Sequence, residues 1–376
     1  MNEKKQTKRK KIAIWMCVVL WSSICLSGCG KNGKSQDQDL QTTKKEQEEN
    51  LTGEQENLEK VFHENGYATW VAYWDFDRAL EEIDVCGDEL TEITAFEALY
   101  TGEKDEIWLP DEMSKLISLL KDKYQGKKRI YLSFVNDFRI ESDMYLQKDV
   151  ALLERLISTE ENRKRHVKEI IDTVKKYGLD GIELDYENIK RAEYLGNSYG
   201  AFIQLLYDEC QKEGLHVKVD VEYQTAKKTD LPYGPEYVVM CYNLCGEGTG
   251  PGPKANKEFL IACCQNYVTQ KNVRMAFSTG GFDWEDEKNV TALTEKEAVE
   301  LFEKECGSNG VRNRDECSGC VWFSYTQKGK KHEVWYADAV TLNYWKQIVR
   351  EQGYQKIAIW RMNGNELNTL QELVSE

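Results

Sequence analysis

The segment Asp180-Gly-Ile-Glu183-Leu-Asp185-Tyr-Glu187-Asn188 places four carboxyl side chains within eight residues. If it runs as a strand, alternate side chains fall on opposite faces. Ile182, Leu184 and Tyr186 then share one face, and Glu183, Asp185 and Glu187 share the other. Three acids crowded together inside a closed sheet cannot all ionise, so protons are shared and one carboxyl stays protonated near neutral pH. Such a carboxyl can donate to the leaving oxygen of a glycosidic bond. Glu187, nearest the C-terminal end of the strand, is the expected general acid. Asp185, one step deeper, is expected to accept a hydrogen bond from the substrate or from Glu187. An exposed edge strand with a solvated acidic face is the alternative, and it gives the row of acids no chemical use.

The same spacing constrains the reaction. Residues i and i+2 of a strand project the same way, about 6.6 Å apart along it. They are poorly placed to flank a sugar from opposite faces, as the two-carboxylate mechanisms require. The nucleophile must therefore come from elsewhere. A 2-acetamido substituent can supply its own carbonyl oxygen while Asp185 holds the amide, which points to N-acetylhexosamine substrates.

Eight short apolar runs rich in β-branched and aromatic residues are the expected strands that would position these groups: Thr69–Phe76, Glu92–Ala98, Arg129–Phe134, Gly181–Tyr186, His216–Val221, Tyr237–Asn243, Val273–Ser278 and Lys356–Trp360. Amphipathic helices are expected between them. The clearest are Arg163–Tyr177, with Gly178 as its stop, and Asp111–Tyr124. Strand–helix alternation predicts a parallel sheet covered by helices. Eight repeats predict an α/β fold of the (β/α)8 TIM-barrel kind, whose active sites form at the C-terminal ends of the strands. The stretch Lys304–Glu333 lacks a helical period and reads as an insertion before the last helix.

Asp180-Gly-Ile-Glu-Leu-Asp185-Tyr-Glu187 resembles the D-G-x-D-x-D-x-E signature of glycoside hydrolase family 18, the chitinase-like barrels with substrate-assisted, retaining catalysis. By position, the resemblance implies that Glu187 is the acid, Asp185 the acetamido-orienting aspartate and Asp180 the structural first aspartate. Glu183 stands where chitinases have Asp; the spore-cortex hydrolase branch tolerates other residues there. Met240-Cys-Tyr242-Asn243 resembles the family's M-x-Y-D on strand six, which implies that Tyr242 helps to hold the acetamido group, with Asn243 in place of the usual Asp. Ile357-Ala-Ile-Trp360-Arg-Met resembles the strand-eight segment whose Trp forms the floor under the reacting sugar. Aromatic faces suit the apolar side of a pyranose, an independent reason for Trp360. Gly280-Gly-Phe-Asp-Trp284 and Tyr73-Trp74-Asp75 resemble the strand-seven and strand-one segments of the spore-cortex branch, making Trp284 and Trp74 candidate sugar platforms. Glu97 and Glu222 end strands two and five and could reach the cleft. His216 and His332 carry no evident partners and are assigned no role.

The 376-residue chain is 41% hydrophobic, with ten Trp, twenty Tyr and eleven Phe, which is ample for a large core. Residues 2–11 are basic, and the apolar run 12–25 is short for a membrane span and typical of a signal-peptide core. The following Leu26-Ser27-Gly28-Cys29 resembles the lipobox of bacterial lipoproteins. That resemblance implies cleavage of a 1–28 signal peptide, lipid on the Cys29 sulfur and a lipid-anchored protein on the outer face of the cytoplasmic membrane. Residues 29–64 read as a disordered polar tether, and 65–376 as the barrel. The formal charge is −15, and loss of the basic leader makes it about −20. Phosphate backbones are repelled by such a field, so no nucleic acid is expected as a partner; the expected partner is an N-acetylglucosamine-containing glycan. Beyond residue 29 nine cysteines remain. Cys317-Ser-Gly-Cys320 has metal-ligand spacing but lacks a second pair or two histidines, so a local disulfide or plain thiols are expected, and neither metal nor cofactor. The rival functions are a non-catalytic sugar-binding barrel, which would lose the acid, and a two-lobed solute-binding lipoprotein, which would leave the inward acids unexplained.

Overall fold

The computed structural model describes residues 66–141, 144–189 and 193–375; the expected signal peptide, Cys29 and the tether lie outside these residues. All eight expected strands are present: β1 (Tyr67–Ala72), β2 (Leu90–Thr101), β3 (Arg129–Glu141), β4 (Gly181–Asp185), β5 (His216–Glu222), β6 (Glu236–Met240), β7 (Val273–Ser278) and β8 (Lys356–Met362). Each pairs in parallel with the next, and β8 pairs with β1, which closes the ring. The fold is a (β/α)8 barrel. Beyond the ring, Glu106–Trp108 pairs antiparallel with the far end of β2, and Met144–Leu146 with the far end of β3.

The described helices are α1 (Ala79–Val85), α2 (Asp111–Tyr124), α3 (Val150–Ile157), α4 (Glu160–Tyr177), α5 (Gly196–Lys212), α6 (Thr225–Lys228), α7 (Lys257–Asn266), α8 (Glu295–Glu305), α9 (Ala339–Glu351) and α10 (Leu367–Val374). Helix α4 shows why the sequence places β4 where it does. The Thr159 hydroxyl caps its N-terminus by accepting the Asn162 N–H, and Val167, Ile170, Ile171 and Val174 form its buried stripe. Gly178 ends it in the left-handed region at φ 60°, a conformation glycine adopts without steric penalty. Three residues on, β4 begins at Gly181, where a Cβ would meet the His216 carbonyl oxygen at 2.6 Å and the Tyr131 ring at 2.6 Å. Only glycine permits that approach of β4 to β5.

Side-chain alternation holds along β4. Ile182, Leu184 and Tyr186 join the large apolar core beneath the helices. A smaller cluster including Ala68, Trp70, Val238, Ala276 and Ala358 lies inside the ring. The floor of the interior is ionic: Arg274 lies 3.3 Å from Glu92 and also pairs with Glu236, while Arg129 lies 3.5 Å from Glu92.

The insertion is larger than its cysteine-rich portion. It begins at Gly280, immediately after β7, and runs to Ala337, just before α9. It contains α8 and an antiparallel five-stranded sheet in the order Asn289–Leu293, Gly280–Glu285, Lys330–Ala337, Val321–Gln327, Asn313–Arg314. The nine cysteines among the described residues are free thiols. Among the described residues no helix is long and apolar enough to cross a membrane, and no His/Cys/Asp/Glu group is arranged to hold a metal ion.

Candidate active site

Asp180 sits at the foot of β4, away from the chemistry. Its carboxylate accepts the Ile130 N–H at 2.8 Å, its own N–H donates to the Ile130 carbonyl at 2.9 Å, and its carbonyl accepts the His216 N–H at 3.0 Å. It thus fastens β3, β4 and β5 in register. Glu183, fully buried above it, has its longer arm turned to a cation: Oε2 lies 3.0 Å from Lys218 Nζ and accepts the Thr94 hydroxyl. The deepest acid of the row is therefore paired with a buried cation.

Asp185 is a group whose surroundings favour the protonated form. Burial raises its carboxyl well above the ordinary range, and the neighbouring Glu187 charge pushes the same way; Lys148 opposes, and Glu97 and Glu183 add to the rise. Its Oδ1 is buried without a hydrogen-bond partner. On the adjacent strand, buried Asp220 behaves alike, raised by burial, then by Glu183 and Asp185, with Lys218 opposing. The Tyr242 phenol is also held far above its usual range, by burial and then by Asp185, Asp220 and Glu187. The ring of strands thus gathers Asp185, Asp220, Glu187 and Tyr242 into one electrostatic group.

Glu187 lies just past the end of β4 at the C-terminal mouth. Its side chain is 15% exposed, and its Oε1 lies 2.6 Å from Lys148 Nζ. Its backbone is held by one side chain: Asn136 Oδ1 accepts the Glu187 N–H at 2.9 Å, and Asn136 Nδ2 donates to the Glu187 carbonyl at 3.2 Å. Between the two acids, Tyr186 points the other way, into the helix layer. Its hydroxyl meets Tyr100 Oη at 2.5 Å and His166 Nε2 at 2.6 Å, which pins the end of β4 from behind.

Aromatic rings from β1, β2 and β8 pack together. Trp360 packs edge-on against Phe96 at 4.7 Å between centroids and tilts against Trp70 at 5.8 Å. Trp74, 44% exposed, continues the packing from Phe96 at 5.8 Å. Trp360 and Trp74 are thus brought together around Phe96. Trp284 is not: it is 1% exposed within the insertion sheet, so no face of its ring is open to a sugar. Asn243 is exposed and makes only a long contact, 3.9 Å, with Met240 Sδ. Glu97 is buried and bears on Asp185. His332, expected to lack partners, has them: Nδ1 lies 2.9 Å from Asp283 Oδ2, and the ring stacks on Tyr325 at 4.4 Å. Both partners belong to the insertion sheet.

Asp220 and Lys218 went unidentified from sequence although the same alternation exposes them: Lys218, Asp220 and Glu222 share one parity of β5. Lys148 and Asn136 had no such signal, because the hairpin that delivers them to Glu187 is a tertiary feature.

The sequence model of Glycosyl hydrolases family 18 matches residues 147–365. The chain is 25% identical over 236 residues to the uncharacterized glycosylase YvbX of Bacillus subtilis, covering 58% of this chain and 67% of that protein. It is 20% identical over 228 residues to the cortical fragment-lytic enzyme of the same organism, covering 55% of this chain and about half, 52%, of the relative. Among solved structures, the spore cortex-lytic enzyme SleL of Bacillus cereus superposes with a TM-score of 0.67 at 19% identity, covering 82% of this chain and 74% of the other. A chitinase from Chromobacterium violaceum gives 0.67 at 15% identity, covering 83% and 99%. These two likenesses are of fold.

Proposed function

The chain belongs to glycoside hydrolase family 18 and is a glycosidase; on that premise we propose that it cleaves β-1,4 bonds at N-acetylglucosamine residues by substrate-assisted, retaining catalysis. The observation that carries this reading is a buried Asp185, its carboxyl raised by burial and by the mouth-facing Glu187, grouped with Asp220 and Tyr242 inside a ring whose inner cluster also packs Trp360. In the proposed sequence the sugar stacks over Trp360, and its acetamido N–H docks on Asp185. The proton that burial keeps on Asp185 passes to Glu187, which delivers it to the glycosidic oxygen as the C1–O bond breaks. The acetamido carbonyl oxygen forms the new bond to C1 from the opposite face, with the ionised Asp185 accepting the amide N–H and Tyr242 donating to the acetamido oxygen. Water then attacks C1 from the side the leaving group vacated as the bond from C1 to the acetamido oxygen breaks, and its proton passes to Glu187, so configuration is retained and the acetamido group is regenerated. Asp180 and Glu183 support the strand, and no cofactor takes part.

Peptidoglycan is the proposed polymer, ahead of chitin-type oligosaccharides and N-glycan cores. The relation to a cortical fragment-lytic enzyme and the leader ending in Cys29 support it. The leader also supports a protein tethered by lipid to the outer face of the membrane.

The test is release of a chromophore from a chitobioside. Glu187→Gln is expected to lower kcat by about 10²–10⁴-fold with binding retained, and a 2-deoxy analogue lacking the acetamido group to react orders of magnitude more slowly. Equal rates for wild type and Glu187→Gln would remove Glu187 from the mechanism. Binding by the wild type without any turnover would leave a sugar-binding barrel.

A further inference from the structure

Lys148 touches the same carboxyl that, on the reading above, protonates the leaving oxygen. It lies 39 residues before Glu187 in the chain, yet its placement is not that of a loose surface lysine. Its own N–H donates to Asp137 Oδ1 at 2.8 Å, and the next residue's N–H donates to the Asn136 carbonyl at 2.7 Å. The buried Asn136 therefore straps the Lys148–Asp149 turn and the Glu187 backbone together. Lys148 is held at φ 53°, a conformation a lysine rarely adopts unless its surroundings impose it. The scaffold is thus built to hold an ammonium against Glu187.

The Lys148 side chain is 46% exposed, against 15% for Glu187. Its remaining charged neighbours are acids, Asp185 from β4 and Asp137 from β3. Burial alone would pull the ammonium down, but Glu187, then Asp185 and Asp137, raise it overall, so it stays a cation. Near it on the same hairpin, the Arg139 guanidinium stands 4.5 Å over the Trp108 ring, a second cation at this rim of a strongly acidic protein. When Glu187 takes up a proton, Lys148 loses its counter-ion beside the very carboxyl that, on the reading above, meets the leaving oxygen. A neutral sugar offers only dipoles there. A carboxylate would restore the pair, and without Lys148 the surrounding acids would repel it.

We propose that Lys148 is a specificity-determining residue that reads a carboxylate carried by the sugar on the leaving-group side of the scissile bond. This rests on the assignment of Glu187 as the acid. The substrate class is then a β-1,4 glycan whose alternate residues bear an acidic substituent, rather than a uniformly neutral chitin-type chain.

The experiment compares two oligosaccharides of N-acetylglucosamine that differ only at the leaving-side residue: one carries a 3-O-lactyl carboxylate, the other its methyl ester. The wild type is expected to show the higher kcat/KM on the acid. In Lys148→Met the ratio of acid to ester should fall about tenfold, and Lys148→Arg should restore most of it; Lys148→Gln gives an independent neutral variant. Both substrates will slow in the neutral variants because Glu187 loses its partner, so the ratio is the measure. A wild type without preference, or a ratio unchanged in Lys148→Met, overturns the inference alone. Failure of the wild type to cleave either compound overturns the assignment of Glu187, and the inference with it.

Discussion

At the scale of single residues, the carboxyls on the inward faces of β4 and β5 divide the work unevenly. Glu183 is neutralised by Lys218, while Asp185 and Asp220 are the ones that burial drives toward protonation. For Asp220 the sign of the consequence can be worked out. A carboxyl raised in the folded state stabilises fully below its unfolded value near 4, and that stabilisation is lost as pH rises through the folded value. Asp220→Asn keeps the shape without the charge, so its Tm should gain on the wild type as pH climbs from about 4 to 8. Thermal unfolding at a series of pH values checks this; a gap that stays constant would show that Asp220 is not held protonated in the fold. The inward acids of β4 were legible because alternation is local. The neutralising Lys218 obeyed the same rule one strand away, whereas Lys148 reaches Glu187 only through a hairpin that no sequence period announces.

At the scale of elements, the turn after β8 shows how the floor of the sugar site is fixed from outside the ring. Glu82, fully buried on α1, accepts the backbone N–H groups of Asn363, Gly364 and Asn365 at 2.7, 2.8 and 3.1 Å, and the Asn365 side-chain amide at 2.6 Å. Asn363 and Gly364 adopt φ values of 86° and 98°, which turns successive N–H groups toward one carboxylate. Arg361, next to Trp360, is held in the same region by Asp75 at 2.7 Å. Glu82→Ala strands several buried donors at once and should lower the free energy of unfolding by about 3 kcal/mol, measured by urea denaturation. It should also weaken sugar binding, because the turn that sets Trp360 loosens. A stability change within experimental error would mean that water satisfies those donors. Nothing in the sequence around Glu82 distinguishes it from the solvent-facing Glu81 beside it; only the packing of α1 against the far end of the chain does so.

At the scale of the whole molecule, ring closure was readable from eight strand–helix repeats, and α2 from its apolar stripe. The start of the insertion was not, because Gly280–Glu285 has the alternating aromatic pattern of any strand and nothing local says which sheet it joins. Only the loss of helical period further on, at Lys304–Glu333, marked an interruption. The proposed placement of the protein at a membrane belongs to this scale as well. Cys29→Ser is expected to move the protein from the detergent phase to the aqueous phase on Triton X-114 partition of expressing cells; unchanged partition would remove the lipid anchor from the proposal. β1 begins at Tyr67 on the ionic floor, where Arg274 donates to the Gly66 carbonyl at 2.7 Å, whereas Glu187 opens at the other rim. A strand of six residues spans roughly 20 Å, so whatever precedes residue 66 joins the body at the pole opposite its opening. If the proposed lipid anchor holds, its attachment to the body is on the side away from the opening. On that proposal, how far the enzyme could graze into a surrounding mesh would be set by the leash's length and not by the shape of its pocket.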